Sequence, residues 1–301
     1  MASLRFVLYP TGSKKVELDT VLTSPSNRIL LYNPDTSAPF YAGYSIARRI
    51  NSGYTGYLIK VRRASDNALM EVGFDGSGNL DTSSLSTWLG SSDGYLHTLY
   101  DQGDYLLDFT QSENSRQPKI ANAGTVITDP DNSKPACYNN VQYDVNLVCP
   151  VMTVVQPATY FMVCHPTSNV TYAYFLDGNY VGARHLIGNS SNNIYLFAGS
   201  GFADGAWTNA DTLVYALING DRSAVGKNGA AATNGDAGAD DLGSALLLSG
   251  RKVSGGVLGE PEDHWVSIQG YFQELIIYSN DNQSANRSTI ESNINTYYSI
   301  Y

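Results

Sequence analysis

The stretch that decides the fold opens GYSIARRINSGYTGYLIKVRRASDNALMEVGF (43–74), runs through DTSSLSTWLG (81–90), and closes with YLHTLYDQGDYLLDFTQ (95–111) and RQPKI (116–120). Ile46, Ala47 and Ile50 recur at helical spacing and Gly53 stops the run, which predicts a short helix over 44–50. Tyr57, Ile59 and Val61 then alternate with Leu58, Lys60 and Arg62, as a half-buried strand does. Ser65-Asp66-Asn67 makes the turn, and Met70, Val72 and Phe74 form the returning strand. Asp75-Gly76-Ser77-Gly78 breaks it. Asp81 or Thr82 caps a helix whose inner face is Leu85, Trp88 and Leu89, and 96–100 is the next strand.

Outward from this stretch the chain reads as short strands between turns. Strands are expected over 141–147, 152–155, 159–165, 172–176, 194–198, 212–219, 244–248 and 266–278. The runs from Thr159 and from Leu213 are almost continuously apolar, as central strands covered on both faces are. The small, polar segment 226–243 reads as a rim loop. A final helix carries Ile290, Ile294, Tyr297 or Tyr298, and Tyr301 on one stripe, starting at Ser284 or at a capping box from Ser288. Together these predict an all-β, two-sheet jelly-roll sandwich with a few short helices, one of them C-terminal. Residues 1–40 form a separate arm, with strands at LRFVLY (Leu4, Phe6 and Leu8 on one face) and at 28–32; 41–301 form the sandwich domain. Phe6, Leu8, Leu30 and Leu31 need a cover, which either the chain's own sandwich or a docking partner would supply, docking being the preferred reading.

Bulk composition narrows the class. The chain has 301 residues, only 15% charged, with 28 Gly and 22 Tyr, a mix that suits a β protein of tight turns and amphipathic faces. A net charge of −10 argues against a nucleic-acid partner. No apolar run approaches the roughly 20 residues of a membrane helix, and MASLRFVLYPTG lacks a signal-peptide core, so synthesis in a cytoplasm and no membrane partner are expected. Cys137, Cys149 and Cys164 are odd in number and form no C-x-x-C, which predicts buried free thiols rather than a zinc site.

The order Arg48-Arg49, Tyr54-x-Gly56, Val61-Arg-Arg-x-Ser-Asp66, Leu80-Asp81-x-x-x-Leu85, Leu99-Tyr-Asp-Gln102, Thr110-Gln111, Gln117-Pro118 resembles the opening of the sandwich domain of B-type α-L-arabinofuranosidases. Similar segments occur in concanavalin A-like (laminin-G-like) modules of phage virion proteins, and the closing strand-plus-helix resembles their ends. The resemblance implies a concanavalin-like jelly roll. The shared residues read as scaffold: Arg48, Arg49, Arg62 and Arg63 would pair with Asp101 or Asp66 to pin strand to turn rather than clamp an anion.

A retaining glycosidase needs two carboxylates about 5–5.5 Å apart. Glu260, Glu262 and Asp263, beside His264 and Trp265, are the candidates by composition, and Glu274 a further one on a strand. Trp265, His264 and Glu262 also suit glycan binding, since an indole face stacks on a sugar ring. Asp236, Asp240 and Asp241 are candidate calcium ligands on the rim loop, with no other cofactor expected. The four histidines are too dispersed in sequence to suggest a metal site.

No family nucleophile segment maps onto the chain, so the first expectation is a non-catalytic structural or adhesive protein of a phage virion. Capsid decoration and tail are its two settings. Its partners would be other virion proteins, host-surface glycans and further copies of itself. The alternatives are an arabinofuranosidase-like retaining glycosidase and a free lectin.

Overall fold

The computed structural model describes residues 5–8, 14–17, 40–141, 144–168, 173–179, 182–249 and 267–301. With 45% strand and 12% helix it is all-β, as the sequence predicts. β1 (Arg5–Leu8) and β2 (Lys14–Glu17) form an antiparallel ribbon of their own, Phe6 opposite Val16. β3 (Ala42–Ser45), β4 (Ile59–Arg63) and β5 (Leu69–Val72) lead to α1 (Thr82–Leu89). Next come β6 (Gly94–Leu99), β7 (Phe109–Thr110), β8 (Lys119–Asn122), β9 (Thr125–Val126), β10 (Cys137–Asn139), β11 (Leu147–Val154) and β12 (Ala158–Pro166). β13 (Tyr174–Gly178), β14 (Leu186–Ser190), β15 (Asn193–Phe197) and β16 (Gly201–Ala206) form a run of hairpins. β17 (Thr212–Ile218), β18 (Ser223–Lys227), β19 (Thr233–Gly235), β20 (Leu242–Leu247), β21 (Gly270–Tyr278) and α2 (Arg287–Tyr298) complete the chain.

The pairings resolve into two sheets. One runs β3-β21-β12-β17-β18-β19. The other runs β5-β4-β6-β7-β11-β20-β13-β14-β15-β16. β8 and β10 bridge β6 to β21 and so join the sheets at one corner. Between the sheets lies the main core, where Tyr160, Met162 and Cys164 of β12 meet Ile59, Phe109, Leu147 and Leu247. A second core covers the outer face of the first sheet: Phe161, Val163, Leu213, Tyr215 and Ile276 pack against Ile290, Ile294, Tyr297 and Tyr298 of α2. β12 and β17 are therefore buried on both faces, which is why their sequences are continuously apolar.

α1 is capped by Asp81, whose carboxylate accepts the Ser84 N–H at 3.0 Å, as the sequence predicts. The helix expected over 44–50 is absent. β3 occupies part of that stretch, with Tyr44 opposite Leu275. Its apolar residues imitate a helical stripe because they serve two cores: Tyr44 and Ile46 point between the sheets, Ala47 and Ile50 toward α2. α2 begins at Arg287, with Asn286 at the N-cap position rather than Ser284 or Ser288. The rim loop expected over 226–243 is in part the β18–β19 hairpin and the start of β20. In the arm, the second expected strand, with Leu30 and Leu31, lies outside the described residues. Phe40, at the end of the expected arm, is buried in the second core.

Candidate functional site

Glu274 sits on the α2-facing side of β21 and is completely buried. Arg48 donates to it through Nε (2.7 Å) and Nη2 (2.6 Å), and Tyr298 donates its hydroxyl at 3.0 Å. The guanidinium also stacks over the Tyr297 ring at 4.7 Å. Both carboxylate oxygens are occupied by the scaffold, so Glu274 is removed from the catalytic candidates: it is the structural carboxylate of the second core. The other arginines are structural too. Arg63 forks onto Asp66, Arg62 donates to Gln117 and Asn67, and Arg49 covers Phe74. Among the described residues Asp101 pairs with no arginine. It accepts the backbone N–H groups of Gly43, Gly103 and Leu107, holding the turn after β6.

Glu260, Glu262, Asp263, His264 and Trp265 lie outside the described residues. They fall in the segment joining β20 of the second sheet to β21 of the first. Beside β20 on that second sheet, Asp177 is buried and held by Arg184 through Nε (2.8 Å) and Nη2 (2.6 Å). A cross-strand row Glu71, Lys60, Thr98, Thr110, Val148, Leu246, Asp177 runs along the outer face of this sheet. Thr98, Leu246 and Asp177 of this row are buried, while Glu71 and Thr110 are exposed.

Of the rim aspartates, Asp236 accepts the Gly238 N–H and Asp241 the Gln156 N–H. Asp240 contributes its backbone carbonyl to His185 Nε2 at 2.7 Å. The grouping of metal-capable side chains found among the described residues lies elsewhere, at Asp129, His165 and Asp211. The three thiols are buried and unpaired, as expected; burial pushes Cys137 up to about 12 and Cys149 to about 11.

The Asp129–His165–Asp211 group is built by strand register. Cys164 faces Thr212, so His165 at the end of β12 lies opposite Asp211 at the entry to β17. The 129–135 turn crosses over both. Asp129 Oδ1 accepts the Asp131 N–H at 2.8 Å, and its Oδ2 meets His165 Nδ1 at 2.9 Å. Asn132 donates to Asp211 Oδ2 and to Gln273 Oε1, the latter at 2.7 Å. Gln273 is the extra residue of a bulge in β21, which turns its amide toward this loop. Asp131, half exposed, accepts the Asp211 N–H at 3.0 Å and lies 3.7 Å from His165 Nδ1. A tilted Tyr138–Tyr271 pair, centroids 4.5 Å apart, flanks the histidine.

The electrostatics follow from burial and like charge. Burial, reinforced by Asp129, pushes the Asp211 carboxyl up to about 7. Burial opposes charge on His165, but the Asp129 hydrogen bond and the Asp129, Asp131 and Asp211 carboxylates outweigh it and raise its pKa. Sequence reading missed this group because its members are far apart in the chain. Two clues were present: His165 ends one continuous apolar run and Asp211 stands at the head of the other.

Comparison with known proteins supplies the family. The family model of the alpha-L-arabinofuranosidase B catalytic domain matches residues 31–232. No curated protein matches the chain significantly. Among solved structures, an arabinofuranosidase complexed with arabinofuranosyl-alpha-1,2-xylobiose superposes with a TM-score of 0.65 at 15% identity, covering 86% of this chain and 63% of that one. A GH54 α-L-arabinofuranosidase soaked with a cyclic sulfate inhibitor gives the same values. The chain thus spans 63% of the length of these enzymes. The expectation of a non-catalytic phage virion protein is overturned, because the matched model is that of a catalytic domain. That expectation rested on the lack of a nucleophile segment that could be mapped by sequence; the shared arginines are scaffold, as read. The chain belongs to the alpha-L-arabinofuranosidase B catalytic-domain family.

Proposed function

We propose that this protein is a glycoside hydrolase that cleaves α-L-arabinofuranosides. The observation that carries the proposal is the catalytic-domain match across 31–232, on a sandwich of the same fold. A retaining mechanism would need one carboxylate to attack the anomeric carbon. A second, about 5–5.5 Å away, would protonate the leaving oxygen and then deprotonate water. Glu274 is committed to Arg48 and Tyr298. Glu260, Glu262 and Asp263, next to Trp265, are the proposed source of the pair, with the indole as the sugar-stacking surface.

The test is release of 4-nitrophenol from 4-nitrophenyl α-L-arabinofuranoside by the full chain. E260Q, E262Q and D263N are assayed in parallel, with E274Q as the structural comparison. Loss of at least about 100-fold in kcat in one or two of the first three, with folding intact, is the expected result. An inactive wild-type protein would defeat the activity. An active one insensitive to all three substitutions would defeat the residue assignment.

A further inference from the structure

We propose that Asp129, His165 and Asp211 form a binding site for a divalent transition-metal ion of the zinc type, with Asp131 at its outer side. Each of the three residues offers a ligand atom, and these atoms lie within 4.8 Å of one another. All three side chains are buried; Asp211 is only 5% exposed. Its Oδ1 is fully shielded from solvent and has no hydrogen-bond partner. A buried acceptor left unsatisfied beside a second buried carboxylate is costly, and an ion is one of the few things that removes both penalties together.

The donor set selects the metal class. Calcium and magnesium take oxygen ligands, whereas an imidazole joined to carboxylates suits zinc and its neighbours. Zinc bonds of about 2.0–2.2 Å space tetrahedral ligands about 3.3–3.6 Å apart, so the group needs to contract by about an ångström. His165 Nδ1 and Asp129 Oδ2 are already 2.9 Å apart, joined by a proton that the ion would displace to solvent. The second shell is in place: Asn132 holds the other Asp211 oxygen, Gln273 holds Asn132, and the Asp131 N–H holds Asp129 Oδ1. The site lies on the α2-facing side of the first sheet and shares no residue with the set proposed for hydrolysis. It can therefore stand or fall independently of that activity.

The test is calorimetric titration of the chelator-treated full chain with Zn²⁺, Mn²⁺ and Ca²⁺, alongside D211N. One equivalent of Zn²⁺ or Mn²⁺ with a rise in Tm, weakened by more than about tenfold in D211N, is the expected result. No uptake, uptake of Ca²⁺ alone, or equal uptake by D211N would overturn the proposal. Should D211N fail to fold, an anomalous-difference map of zinc-soaked wild-type crystals decides. A peak within bonding distance of all three side chains supports the site, and a map without one refutes it.

Discussion

Two groups of buried carboxylates share the α2-facing side of the first sheet and are treated in opposite ways. Glu274 is saturated: a planar guanidinium fills both oxygens and the Tyr298 hydroxyl adds a third bond. Asp211 sits a short way along the same surface with one oxygen unmatched and a second carboxylate close by. The difference teaches where the fold spends its polar groups. A carboxylate that locks α2 and β21 to the 45–48 turn is fully paired by residues of the same core. A carboxylate left short of partners is held by strand register, and only a proton or an ion can complete it.

The comparison can be broken at its stronger end first. Arg48→Ala removes the guanidinium that forks onto Glu274 and leaves a buried charge, so a loss of about 3–5 kcal/mol is expected by urea unfolding. A loss below about 1 kcal/mol would show that Glu274 is not the keystone of this core.

His185 gives a buried group satisfied in its neutral form. The Tyr160 hydroxyl meets its Nδ1 at 2.5 Å, and Nε2–H donates to the Asp240 carbonyl at 2.7 Å. Burial lowers its pKa from 6.5 to about 4. The unfolded chain takes up the proton first as pH falls, so this stability is complete above pH 6.5 and is lost as pH drops toward 4. The loss is about 3 kcal/mol at that lower limit. Unfolding curves across this window should slope steeply in the wild type and more gently in H185Q; equal slopes would count against the assignment.

Tyr298→Phe sharpens the account of Glu274 by deleting one charge-assisted hydrogen bond while keeping the ring. About 2 kcal/mol of destabilisation is expected. The smallest effect belongs to the other group. Asp211→Asn keeps shape and removes like-charge repulsion, so in metal-free protein its stability should stay within about 1 kcal/mol of wild type, or rise. A loss comparable to that of Arg48→Ala would mean the two groups are alike after all.

Much of the fold was legible in the residues. The alternation at Ile59–Val72, the Asp81 cap, the continuous runs through β12 and β17, and the stripe of α2 each carry a period that only one element satisfies. The 44–50 segment misled because a strand and turn serving two cores can reproduce helical spacing over seven residues. β14, β16 and β19 were passed over because their polar, glycine-bearing sequences lack the strand signal that pairing supplies.

By itself, the sequence determined an all-β sandwich of arabinofuranosidase-like opening, the burial of its thiols, and the face by which the last helix docks. These depend on hydrophobic period and local turn chemistry, which are written in neighbouring residues. Tertiary structure alone decided which charges meet. Arg48 and Glu274 are 226 positions apart, and Asp129 and His165 are 36 apart, and no local pattern links them. Their pairing is set by strand register and by the bulge at Gln273, and a shift of one residue in β12 or β21 would turn these side chains to the other face of the sheet.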